Sequence, residues 1–163
     1  MPRSLDKCSN VDDLRDLARR RLPGPIFHYI DGAADDELTY RRNMAAYDDY
    51  DLVPNILNGV ADIDMSVEVM GQKLGLPIFC SPTALQRLFH HQGERAVARA
   101  AEKFNTLFGV SSLGTVSLQE IGALISTPKM FQFYFHKDRA LNAAMLDMAR
   151  AARFVIKKQD VLS

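Results

Sequence analysis

The sequence predicts an α/β protein in which a helical segment, residues 1–65, precedes alternating strands and helices over residues 66–163. Three observations carry this prediction. The first fifty positions show helical apolar spacing with capping residues, short apolar runs alternate with amphipathic stretches after residue 66, and three consecutive strands end on small or hydrogen-bonding side chains. Strand–helix alternation implies right-handed crossovers and a parallel sheet, either an open doubly wound sheet or a (β/α)8 barrel. At 163 residues and 47% hydrophobic content, one ordinary domain is expected.

Asn10 or Ser9 caps a first helix, with Asp12 and Asp13 in its first turn and Val11, Leu14, Leu17 and Ala18 as its apolar positions. The Pro23, Gly24, Pro25 cluster ends it and admits a short helix around 26–30. Gly32 reads as the C-cap of that helix, and a third helix is expected over 36–47. SVEVM and the segment after it read as a hairpin turning at Gly71 and Gln72.

PIFCS (77–81) then reads as a buried strand, followed after Gly93 by a helix with Val97, Ala100, Ala101 and Phe104 on its inner face. LFGVSS (107–112) is the next strand. Ser117 with Glu120 forms a capping box, opening a helix through Ile121 and Leu124. MFQFYF (130–135) is a third strand. Asp138 caps a helix with Leu141, Ala144, Met145 and Met148 facing inward, ahead of a weak strand around 154–156. Three strands and a weak fourth fall short of the eight, in ~250 residues, that close a barrel.

Twenty basic and twenty acidic side chains cancel, so charge gives no argument for nucleic acid or an anionic membrane as partner. Cys8 and Cys80 lack metal-ligand spacing and read as reduced thiols in a cytoplasmic setting. The charged start MPRSLDKCSNVDD does not resemble a signal peptide, and no apolar run approaches the ~20 residues of a membrane span. No G-x-G-x-x-G or P-loop is present, which disfavours a nicotinamide-binding Rossmann domain.

Chemistry is most legible in MFQFYF. Alternation sends Phe131, Phe133 and Phe135 one way and Gln132 and Tyr134 the other. In a barrel the aromatic face meets the helices, leaving Gln132 and Tyr134 at the mouth. On an ordinary half-exposed strand the same two residues are plain surface polar groups. Ser111 ends the preceding strand, and Ser81, Pro82 and Thr83 end the one before, a convergence that suits a ligand. FHYIDGAADDE (27–37) reads as a helix end followed by an acidic helix start; its carboxylates Asp31, Asp35 and Asp36 make only a weak case for a metal, and no metal site is assigned.

FHYIDGAADDELTYRRN, SPTALQRLFHHQGERAVARAA and FQFYFHKDR, in this order and spacing, resemble the FMN-dependent 2-hydroxy acid dehydrogenases and oxidases, among them glycolate oxidase, mandelate dehydrogenase and bacterial L-lactate dehydrogenase. The first segment is especially similar to the bacterial L-lactate dehydrogenases. The resemblance covers roughly residues 11–154 and implies amino-terminal helices followed by the first three to four βα units of a (β/α)8 barrel. It implies FMN as cofactor, with backbone at Pro82, Thr83 and Ala84 near the flavin ring and Ser111 and Gln132 hydrogen-bonded to it. Tyr29 would bind the carboxylate of a small L-2-hydroxy acid, by this likeness L-lactate, and Tyr134 the oxygen at the carbon being oxidised. A homo-oligomer is implied for the full-length protein, in the cytoplasm, with peripheral attachment at the inner membrane face left open.

The family's remaining groups, a His base, the Asp that orients it, an Arg clamp and a Lys beside the flavin, belong to later strands and are not matched. Near Arg153 the likeness breaks: the family has Gly and an apolar strand ending in Thr-Val-Asp, whereas this chain reads RFVIKKQDVLS. Lys157, Lys158 and Gln159 are ill suited to a buried parallel strand, and Asp160 does not take the orienting role. A truncated barrel, arising from a frameshift or premature stop, is the expectation, and the chain alone is expected to be inactive.

Overall fold

Asn10 accepts the Asp13 amide at 2.8 Å and opens helix α1, Val11–Arg21, whose last turn carries Arg19, Arg20 and Arg21 against the negative end of the helix dipole. The computed structural model describes residues 4–59 and 61–155, and the chain divides into two units, Met1–Asp62 and Ile63–Ser163. The expectations for 156–163 lie outside the described residues. Among the described residues no helix is long and apolar enough to cross a membrane.

In the first unit, α1 is followed by α2, Gly24–Asp31, and α3, Leu38–Ala45, which runs on as a 3-10 turn over Ala46–Asp49. Leu17 and Phe27 are the buried apolar residues of α1 and α2. Gly32 does end α2, its amide reaching the His28 carbonyl at 3.0 Å, but in extended rather than left-handed backbone. The third helix starts two residues later than expected. Asp35 and Glu37 both adopt left-handed backbone, and the Glu37 carboxylate accepts the Ala33 amide at 3.1 Å, so a turn occupies the place of a first helical turn.

Arg15 of α1 grips Asp31 at the end of α2 through both carboxylate oxygens, at 2.5 and 2.9 Å. The guanidinium, by hydrogen bond first and charge second, holds the Asp31 carboxyl below the usual carboxylate range. A depressed folded value means that this tie is complete above the unfolded pKa of about 3.9 and is lost as pH falls through the folded value. An NMR titration of Asp31 is therefore expected to show a midpoint below ~3.9. In Arg15→Met that midpoint should return to the ordinary range; an unchanged midpoint would show that Arg15 does not hold the group.

The second unit begins with a hairpin, β1, Val67–Val69, paired antiparallel to β2, Gln72–Leu74. Its turn falls on Met70 and Gly71, one residue earlier than expected. Both have positive φ, 53° and 72°, the twist-compatible form for a two-residue loop. Next come α4, Glu94–Lys103; β3, Phe108–Ser111; α5, Leu118–Leu124; β4, Lys129–Gln132; and α6, Arg139–Ala151. β3 and β4 pair in parallel with Phe108 opposite Lys129 and Ser111 opposite Gln132, so the strand–helix alternation does produce a parallel βαβ unit.

The expected strand at 77–81 contracts to one parallel bridge, Cys80 to Phe108. The Cys80 amide reaches the Leu107 carbonyl at 3.0 Å and its carbonyl accepts Gly109 at 2.8 Å. Pro77 and Pro82 on either side have no amide hydrogen with which to lengthen the ladder. Val155 likewise makes a single bridge, to Met130, where the weak fourth strand was expected. Partial burial pushes the Cys80 thiol above its ordinary range.

Alternation sends Phe108, Val110 and Phe131 toward the helices, where they pack with Ala98 and Ala101 of α4, Ile121 of α5, Ala149 of α6 and Phe154. The helices sit slightly rotated from their expected faces. On α4 the buried stripe is Glu94, Ala98 and Ala101, with Ala100 and Phe104 exposed. On α6 it is Asn142 and Ala149, with Leu141, Ala144 and Met148 exposed. In both cases a polar residue joins the inner stripe because its side chain is hydrogen-bonded, Glu94 to Thr115 and Asn142 to His136, which apolar spacing does not reveal. Ser117 caps α5 at the Glu120 amide, 3.2 Å away, but the Glu120 carboxylate turns to Arg95 of α4 instead of closing the capping box.

Candidate functional site

The face of β3 and β4 turned away from the helices carries Gly109, Ser111, Met130 and Gln132. Because the register is even, Ser111 and Gln132 stand side by side at the carboxyl ends of the strands. The Ser111 hydroxyl donates to Gln132 Oε1 at 3.2 Å and accepts the Leu113 amide at 3.1 Å. This orients the Gln132 side chain and leaves its two amide N–H donors outside that bond. Next to them, the buried Ser112 hydroxyl has no hydrogen-bond partner among the described residues.

Pro82 arrives over the same strand. A β-carbon on Gly109 would stand 2.7 Å from Pro82 Cδ and 3.0 Å from Pro82 N, so the missing side chain is what lets the loop lie down on β3. Beyond it the Leu85 amide bonds to the Leu113 carbonyl at 3.1 Å, and buried Gln86 donates to the Thr83 carbonyl at 3.3 Å. Thr83 and Ala84 therefore present backbone at the strand ends on a loop braced from both sides. Pro82, Ser111 and Gln132 are brought together.

Tyr134 falls two residues past the end of β4, which stops at Gln132 rather than continuing to 135, and its side chain is 57% exposed. Phe133 packs edge-on with Phe135 and tilted against Phe131, while Phe135 itself is largely exposed. The turn beyond is clamped by buried Asn142, whose amide accepts the His136 N–H and donates to the His136 carbonyl, both at 2.9 Å. Tyr29 lies on α2 in the first unit, 59% exposed. Asp31 is taken up by Arg15, and among the described residues no cluster of three or more His, Cys, Asp or Glu side chains has a metal-holding arrangement.

At the amino-terminal ends of the strands lies an open cleft of about 470 Å³, lined among others by Gln72, Glu102, Lys129 and Arg153. Glu102 and Lys129 there are already partnered. Glu102 accepts from the Ser126 hydroxyl and the Ser126 and Thr127 amides, which holds its carboxyl below the ordinary range. Buried Lys129 donates to the Ile125 and Thr127 carbonyls, and desolvation lowers its pKa. These bonds join helix ends to strand starts, and the convergence at the opposite end is the better ligand site.

A family model described as FMN-dependent dehydrogenase matches residues 18–160, and the chain belongs to this family. It is 33% identical over 150 residues to a peroxisomal (S)-2-hydroxyacid oxidase of Arabidopsis thaliana, covering 92% of this chain and 41% of that protein. It is 37% identical to an L-lactate dehydrogenase of Pectobacterium atrosepticum, covering 86% and 36%. Among solved structures, a (putative) lactate oxidase of Pediococcus acidilactici superposes with a TM-score of 0.84 at 32% identity, covering 91% of this chain and 42% of that one. A mandelate oxidase superposes with a TM-score of 0.83 at 31% identity, covering 92% and 44%. The chain spans about two fifths of the length of these relatives.

The family is FMN-dependent, and the strand ends suit a flavin ring. The ring's edge alternates hydrogen-bond acceptors with one N–H donor, and Ser111 and Gln132 offer both kinds of group. The Pro82–Thr83–Ala84 backbone adds a braced wall. Sequence reasoning missed Gly109, Gln86 and Asn142. Gly109 alone carried a signal, a glycine inside a strand, which marks close backbone approach.

Proposed function

We propose that the chain contributes the flavin-facing strand ends of an FMN-dependent oxidoreductase acting on L-2-hydroxy acids, with L-lactate the first candidate substrate. In this reading residues 1–65 are the helical segment and 66–163 the opening βα units of a (β/α)8 barrel. The observation that carries it is the Ser111–Gln132 hydrogen bond at paired strand ends beneath the Pro82 loop, within a region matched to the FMN-dependent dehydrogenases. L-Lactate is favoured by FHYIDGAADDELTYRRN and by the 37% identity to an L-lactate dehydrogenase.

FMN, when bound, accepts the two electrons released as the alcohol carbon of the substrate becomes a ketone. Ser111 and Gln132 would hold the ring edge by hydrogen bonds, and the backbone of Pro82, Thr83 and Ala84 would cover it and exclude water. Tyr134 would donate its hydroxyl hydrogen to the substrate oxygen at the reacting carbon, and Tyr29 would bond to the carboxylate. The proton-accepting base and the cationic carboxylate clamp have no counterpart among the residues assigned to this site. On their own, these 163 residues are expected to bind the cofactor without turning over substrate.

Titration with FMN, followed by quenching of flavin fluorescence, tests the reading. Gln132→Leu keeps the size of the side chain, removes its donors and acceptor, and is expected to weaken binding about tenfold, the scale of one or two lost polar contacts. Affinity for FMN equal in parent and variant would remove Gln132 from the site, and no binding by the parent would refute the flavin-site reading for this chain. Turnover of L-lactate by the 163 residues would overturn the expectation of inactivity.

A further inference from the structure

We propose that Glu94 and Thr115 act as a pair of positioning residues that set the height of the Pro82–Thr83–Ala84 backbone over β3 and β4, and so, resting on the flavin reading above, the seat of the ring. Glu94 is the first residue of α4 and is fully buried. Its Oε1 accepts the Thr115 amide at 2.7 Å and its Oε2 accepts the Thr115 hydroxyl at 2.6 Å. The Thr115 oxygen in turn accepts the Arg87 amide at 3.2 Å, and two residues earlier the Leu113 carbonyl accepts Leu85 at 3.1 Å. The loop after Cys80 is thereby fastened to the loop after β3 at two rungs. One rung is the Thr115 hydroxyl that Glu94 holds.

A carboxylate at a helix start compensates the dipole from the surface as well, so that role alone does not require complete burial. Burial carries a desolvation cost, and no salt bridge reaches Glu94 among the described residues. What burial achieves is a fixed acceptor pair for Thr115. The fastened loop includes Leu85 at φ 55°, a left-handed conformation that a leucine keeps only when its surroundings impose it. Gly114 leaves the room needed, since a β-carbon there would stand 3.0 Å from the Ser111 carbonyl and 3.5 Å from Glu94 Oε1.

The test compares Thr115→Val, which keeps shape and the backbone bond to Glu94 but removes the hydroxyl, with Thr115→Ser, which restores it. In the flavin-free chain, amide exchange at Leu85 and Arg87 is expected to be about tenfold faster in Thr115→Val, the scale of one broken rung, with Val110 and Phe131 unchanged. FMN affinity should fall about tenfold alongside, and Thr115→Ser should restore both readouts. Exchange at Leu85 and Arg87 equal to the parent, or accelerated equally throughout β3 and β4, overturns the positioning role. Should the parent bind no FMN, the flavin reading fails and exchange alone decides the pair. Faster exchange in a variant that binds FMN as tightly as the parent would sever the pair from the cofactor.

Discussion

Gly109→Ala is expected to lift the Pro82 loop and cut FMN affinity about tenfold or more while the second unit stays folded. The added β-carbon would stand 2.7 Å from Pro82 Cδ, 2.9 Å from Cγ and 3.0 Å from Pro82 N. None of these atoms is the free end of a flexible side chain, because the ring is closed on its own backbone. The strand is held by hydrogen bonds on both sides, Cys80 to Gly109 and β3 to β4, so the loop yields before the strand does. Overpacking of this kind costs about 1–3 kcal/mol. Amide exchange at Leu85, whose N–H bonds to the Leu113 carbonyl, should accelerate in step when measured without flavin. Parent-like exchange and affinity would show that Pro82 does not depend on the bare strand position.

Phe108→Ala is expected to have the larger effect on stability. Phe108 is fully buried at the head of β3, opposite Lys129 and bridged to Cys80, and packs among the residues shared by the sheet and α4, α5 and α6. Truncating such a side chain costs about 3–5 kcal/mol through lost burial and the cavity left behind. Domains have only ~5–15 kcal/mol in total. Urea unfolding of the second unit should move to markedly lower midpoint, with loss of the near-ultraviolet signal of packed aromatics. A shift corresponding to under ~1 kcal/mol would mean that the core relaxes around the deletion.

These two neighbours show what apolar spacing conveys and what it leaves out. The run LFGVSS announces a strand because apolar residues cluster between polar ends, and that strand forms. Ser111 and Gln132 could be placed on one face at the strand ends because period-two alternation leaves little freedom once a parallel pair is in register. The role of Gly109 depends on Pro82, 27 residues earlier, and no local rule reports where a distant loop will rest. Glu94 and Asn142 escaped for a related reason. Both lie on buried stripes as polar residues whose partners, Thr115 and His136, come from loops, and a count of apolar positions assigns such residues to the outside.

PIFCS failed as a strand by the opposite mechanism, since its apolar content is real but Pro77 and the following Pro82 limit pairing to Cys80. In MFQFYF the strand ends at Gln132, so Tyr134 gets its placement from a turn clamped by Asn142 and not from the pleat. The family resemblance was carried by whole segments, which preserve such loop information where single-residue periodicity does not.

The Ser111–Gln132 bond joins residues only 21 apart in the chain, with α5 as the one helix of the intervening connection. Contacts this close in sequence are cheap in loop entropy, by on the order of 1 kcal/mol relative to a closure of about a hundred residues. The polar edge at the strand ends is therefore closed by a short connection, with little loop entropy to offset. The edge itself is local, but the face behind it is closed only when Ala149 and Phe154, which follow in the chain, pack onto Phe108, Val110 and Phe131.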